Sequence, residues 1–170
     1  MLKIFSAFLI ISAFTCGGIY FSSLEKQRVS TLRNVITMIS VAETQLRYLR
    51  VPVAELMKNL SENNAVSELP FIKQCNEMLC MGFSFSSAWK GSIEANPQFK
   101  KLLPETYKNL LLLGGEIGST DLEGQLSSLG YYKQIFSSSL CEHEERCKRT
   151  SKLCPSLGLL LGISAAIMII

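Results

Sequence analysis

The sequence predicts an all-α protein, a helical bundle of about six helices set between an N-terminal and a C-terminal transmembrane helix. Three observations lead there. Apolar residues in the middle of the chain recur at steps of three and four, and no segment shows the period-two alternation of a strand. The stretches Ile4 to Phe21 and Leu153 to Ile170 each run for 18 residues without a charge. Nearly all the charge, 17 Lys and Arg against 14 Asp and Glu, lies between them. Charged residues are only 18% of the chain and apolar ones 48%, as two lipid-facing ends would dictate. With 170 residues there is room for one modest domain. The divisions expected are residues 1–22, 23–152 and 153–170.

Each end is long enough for its role. At about 1.5 Å per residue, a helix of this length reaches roughly 27 Å, close to the thickness of a hydrocarbon core. The second run is the tighter fit, because Pro155 sits near its start. Lys3 followed by an apolar run also has the look of a signal peptide. Its only cleavage-like site, Ala13-Phe14-Thr15-Cys16, lacks the Leu of a lipoprotein box. Apolar character continues past it to Phe21, so an uncleaved anchor is expected. Basic residues orient the pair. Lys26, Arg28 and Arg33 follow the first run, and Arg146, Lys148, Arg149 and Lys152 precede the second. The central domain is therefore expected in the cytoplasm, with both termini outside.

From Leu24 to Arg50, the residues Leu32, Val35, Ile36, Ile39, Ala42, Leu46 and Leu49 make one face of an amphipathic helix that continues from the first span without a Gly or Pro break. Pro52 starts a second helix, Val53 to Asn63. A third opens at Ser67 or Glu68 and ends at Gly82. A fourth runs from Ser86 to Ala95, carries the sole Trp, Trp89, and is broken by Asn96-Pro97. A fifth runs from Pro104 to Leu113. Gly118 reads as its C-cap, and Ser119 or Thr120 as the N-cap of the next, with Thr120 and Glu123 at capping-box spacing. The sixth carries Leu122, Leu126, Leu129, Tyr132, Phe136, Leu140, His143, Cys147 and Thr150 along one stripe toward the second span.

Motifs of catalysis are absent. No H-E-x-x-H, G-x-S-x-G or P-loop occurs, and the Gly114 to Ser119 stretch follows a helix and lacks the Lys of a phosphate cradle. No cofactor or metal is expected, no enzyme activity, and no nucleic-acid surface. Six cysteines at irregular spacing make neither a zinc knuckle nor a disulfide framework in a reducing compartment. One alternative stands beside these expectations. His143 and Cys147 are four apart on one helix, so with Cys141 they offer a metal- or redox-sensing group. Glu142 to Arg149 is a dense charge cluster, either a solvated face or a headgroup or partner contact. In the second span Gly158-x-x-x-Gly162, with Ala166 one turn on, gives a small-residue face for helix association, or else reflects the commonness of Gly in membrane helices.

Several of these pieces together resemble the stage III sporulation protein AB family of endospore-forming bacteria. Met1-Leu2-Lys3 leads directly into a span and a long amphipathic helix. Ser87-Ala88-Trp89 matches the family's short helix bearing a Trp. Leu113-Gly114 to Gln125 looks like the family's turn, with Gly118, Asp121 and Gln125 at its marked positions. A Leu- and Gly-rich span closes the chain. The cysteines and the Glu142 to Arg149 cluster fall outside the pattern. The family is similar to the F-type inner-membrane platform proteins of type II secretion systems. The resemblance implies a non-enzymatic platform component of a secretion-like channel complex between mother cell and forespore, needed at engulfment. It implies as partners the other stage III sporulation complex proteins, including a secretion-type ATPase and channel components. It places the chain in the outer forespore membrane, with Gly118, Asp121 and Gln125 as candidate interaction residues; the spacing of Gly158 and Gly162, apart from the resemblance, adds a candidate lipid-embedded contact face, open to self-association.

Overall fold

The structure, a computed structural model, describes the backbone of residues 2–169 and the side chains of residues 12, 16, 17, 19, 20, 22–149, 156, 160 and 164. Helices account for its secondary structure, and no strand occurs among the described residues. In chain order they are α1 (Leu2–Leu49), α2 (Val53–Glu62), a 3-10 turn (Asn64–Val66), α3 (Pro70–Cys80), α4 (Phe85–Ala95), α5 (Pro97–Lys100), α6 (Pro104–Glu116) and α7 (Leu122–Ile169). The chain divides into two compact units, Ser30–Leu140 and the pair Met1–Val29 with Cys141–Ile170. α1 and α7 each contribute to both.

In the larger unit the predicted stripes are the core. Leu32, Val35, Ile39, Ala42 and Leu46 of α1 are buried, as are Leu129, Tyr132 and Phe136 of α7. Leu49 departs from its stripe and is 64% exposed, because the helix ends there. Arg50 turns into the left-handed region at φ 49°, a conformation that disfavours a side chain. α3 packs on α2 and on α4, and α4 packs on α5 and α6. At their crossing, Phe71 stands edge-on to both Trp89 and Phe99, each at 5.1 Å between ring centres.

The boundaries follow from local chemistry, with two corrections. α3 does not open at Ser67 or Glu68. Asn63 accepts from the Ala65 N–H to start the 3-10 turn, Ser67 closes that turn onto the Asn64 carbonyl, and α3 begins at Pro70, whose fixed φ suits a first helical position. Asn96 and Pro97 do not simply interrupt the chain after α4; Pro97 starts the single turn α5. Asn96 is held by donating to Gln74 Oε1 at 2.8 Å and to the Ser92 carbonyl at 2.7 Å, which ties α4 to α3.

In the smaller unit, the helical segments continue to both ends of the described backbone. Among the described residues no helix is long and apolar enough to cross a membrane. Most side chains of the two terminal apolar runs lie outside the described residues, and so do the surroundings of Gly158 and Gly162.

Candidate functional site

Trp89 and the glycine-rich end of α6 form the best-built feature of the larger unit. α4 starts at Ser84, whose hydroxyl accepts from the Ser87 N–H, and one turn later Trp89 points inward at 1% exposure. Its ring packs against Phe71 and, tilted, against Phe85 at 5.6 Å. A buried indole N–H needs an acceptor, and Trp89 Nε1 donates to the Leu110 carbonyl of α6 at 2.9 Å. That bond draws the ring onto the next turn of α6, where Gly114 sits. A Cβ on Gly114 would stand 2.0 Å from Trp89 Cδ1, so only hydrogen fits there. The Trp and the first glycine of the turn are thus one contact.

α6 then runs one turn further than expected, through Gly114 and Gly115 to Glu116. Gly118 ends it, as its expected role in the cap requires, with φ at +80°. The position is doubly restricted, since a Cβ there would also come within 2.9 Å of Val53 Cγ2 on α2. Ser119 and Thr120 do not cap α7. Asp121 does: its Oδ1 accepts from the Gly124 N–H at 3.1 Å, and its carbonyl accepts from the Gln125 N–H at 2.9 Å. An ionised carboxylate at this end also suits the helix dipole. Gln125 folds back, its Nε2 donating to the Thr120 carbonyl at 2.9 Å. Its Oε1 is buried without a partner among the described residues. Gly118, Asp121 and Gln125 therefore lie on one corner, and Glu116 braces it. Tyr132 of α7 donates to Glu116 Oε1 at 3.2 Å, and burial together with that carboxylate pushes the phenol up to about 12.

α1 and α7 are joined by polar contacts within each unit. In the larger, Glu43 accepts from Lys133 at 3.2 Å and from Arg47 at 3.0 Å. These bonds, Lys133 foremost, hold its carboxyl below the usual range. In the smaller, His143 is 1% exposed and its Nδ1 lies 3.0 Å from Glu25 Oε2. Arg28 binds the other oxygen of the same carboxylate. Burial alone would push Glu25 up, but the hydrogen bond with His143 and the charge of Arg28 outweigh it and hold the carboxyl low. With Glu25 ionised, Nδ1 carries the hydrogen it donates, and Nε2 is buried without a partner among the described residues.

The Cys141, His143 and Cys147 group is not assembled for a metal. Cys141 is exposed and Cys147 half-buried, while His143 is engaged by Glu25. Among the described residues no three ligating side chains converge. Cys75 is buried and its thiol is pushed up to about 11 by desolvation, which makes it a packing residue rather than a nucleophile. A shallow groove of 570 Å³ runs between α2 and α3, lined by Glu55, Lys58, Glu62, Leu79 and Cys80 among others. No paired nucleophile and base face each other in it.

Sequence reasoning placed Gly118 in its cap and missed two contacts. The Trp89–Gly114 contact leaves no mark in the local pattern, because the two residues lie on different helices, α4 and α6. Glu25 had one signal: it is the first charged residue after Lys3, and an acid at such a place asks for a partner.

Comparison with known proteins bears on the whole chain. The sequence profile of the family described as stage III sporulation protein AB matches residues 3–170. No curated protein and no solved structure is significantly similar to the chain.

Proposed function

Because the chain belongs to the stage III sporulation protein AB family, we propose that it is a non-enzymatic platform component of a secretion-like complex that joins mother cell and forespore. In this reading residues 1–22 and 153–170 anchor it in the outer forespore membrane. The helical domain faces the mother-cell cytoplasm and couples a secretion-type ATPase to channel components. The observation that carries the proposal is the family match over nearly the full length. It is supported by the way the family's marked residues are used. Trp89 and Gly114 lock α4 to α6, and Gly118, Asp121 and Gln125 shape the corner that follows. Such a corner is a stiff, preorganised surface of the sort a partner protein docks on. Gly158 and Gly162 offer a second contact face in lipid, for a partner span or a second copy.

The experiment is cross-linking from labels at Asp121 and Gln125 in sporulating cells. The expected result is capture of a secretion-type ATPase or a channel protein, together with a block at engulfment on deletion. Normal spores after deletion, with no sporulation protein captured, would overturn the reading.

A further inference from the structure

The charges of the smaller unit are not evenly matched. Along α7 the carboxylates Glu142, Glu144 and Glu145 come first, and the cations Arg146, Lys148 and Arg149 follow, next to the apolar run that starts at Leu153. On α1, Glu25, Lys26 and Arg28 follow the first apolar run directly. The structure then pairs most of the acids. Glu142 is bound by Arg146 at 2.6 Å, Glu25 by His143 and Arg28, and Glu144 has a partner of its own. Lys26, Lys148 and Arg149 are left exposed, with no ion pair among the described residues and only Glu145 as an uncommitted carboxylate near them.

The unit that carries these cations also exposes apolar side chains. Tyr20 is 68% exposed and Ile19 55%, on the same compact unit that holds all three cations. An exposed Tyr and Ile would be a poor surface in water. Together with exposed Lys and Arg on the same unit, and near the end of a charge-free run, they have the composition of a membrane interface, where the Tyr body sits among acyl chains and its hydroxyl among headgroups. A protein or nucleic-acid partner would explain the cations but leave the adjoining charge-free runs without a role.

We propose that Lys26, Lys148 and Arg149, with Tyr20, form a docking surface for the headgroups of an anionic phospholipid leaflet. This rests on the membrane anchoring proposed above and adds a lipid preference to it. The pairing of Glu25 and Glu142 contributes by removing the carboxylates that would otherwise repel phosphate.

The test uses the full-length chain reconstituted in phosphatidylcholine bilayers, with trace spin-labelled phosphatidylglycerol or phosphatidylcholine read by electron paramagnetic resonance. The anionic label is expected to associate about fivefold more strongly for a cation fully engaged at the surface. The preference should fall toward parity in high salt and in a variant carrying Lys26→Gln, Lys148→Gln and Arg149→Gln. These positions are exposed, so the variant keeps its helices. Equal association of the two labels with the unaltered chain, or a preference undiminished in the triple variant, would overturn the surface while leaving the anchoring intact. A chain that does not float with vesicles of either composition would overturn the anchoring itself, and the lipid surface with it.

Discussion

Each unit buries one nitrogen heterocycle. In the larger, Trp89 is enclosed by Phe71 and Phe85, and its single N–H is met by a neutral carbonyl. In the smaller, His143 is enclosed to the same degree, but its partner is an ionised carboxylate that Arg28 shares, and one ring nitrogen has no partner among the described residues. The first arrangement stabilises through apolar area and close fit. The second removes charge from water and recovers that cost through directional bonds, so it contributes little net stability and much orientation. Two ways of joining helices thus coexist, one by fit and one by polarity.

The sharpest way to break this contrast is Gly114→Ala. A methyl group 2.0 Å from the Trp89 ring cannot be accommodated without moving α4 from α6, and the expected loss is about 3 kcal/mol in denaturant unfolding followed by circular dichroism. Combining it with Trp89→Leu, which empties the space, should recover part of that loss. The two changes are therefore strongly non-additive. Strict additivity would mean that the two residues do not share one contact.

At the polar junction the two partners should behave unequally. Glu25→Ala leaves a buried imidazole with neither nitrogen paired, a loss of about 2 kcal/mol. His143→Leu leaves Glu25 with Arg28 and replaces a polar ring with an apolar group, so its effect should stay under about 1 kcal/mol in either direction. Equal losses would show that the pair stabilises like the Trp89 contact. The pH dependence has a definite sign. The folded-state value of Glu25 is depressed, so its contribution is fully present above the unfolded value near 4.5 and is lost as pH falls through the lower folded value. Thermal unfolding of a Glu25→Gln variant should therefore fall off less steeply in that acid range than the unaltered chain.

The smallest effect belongs to the corner itself. Asp121→Ala removes the N-cap of α7 and should cost about 1 kcal/mol. Thr120→Ala, at the position that capping-box spacing favoured, should change melting by a few tenths at most. A reversed order would return the cap to Thr120.

The elements differ in how far their own residues specify them. The stripes of α1 and α7 were legible because one helix face repeats at short range, and Gly118 because a left-handed cap is a local demand on one residue. The start of α3 was misread, since Ser67 and Glu68 are good helix-opening residues and the decisive competitor was the turn that Asn63 draws onto Ala65. The N-cap of α7 was misread by one residue for a similar reason: three neighbouring side chains are all able to cap, and the geometry after Gly118 selects Asp121. Of the candidate site, the sequence points to Gly118, Asp121 and Gln125, while their bracing by Glu116, Tyr132 and Val53 depends on packing between helices.

By itself, then, the sequence determined whatever depends on periodicity and local conformation: an all-helical middle, two charge-free ends and the turn at Gly118. The tertiary structure alone decided which residues meet across distance. Trp89 reaches the turn of α6 some 21 residues on, and His143 meets Glu25 across 118 residues. No local pattern encodes such meetings, because they arise only when packed helices bring one acceptor, or one carboxylate, within reach of a buried ring.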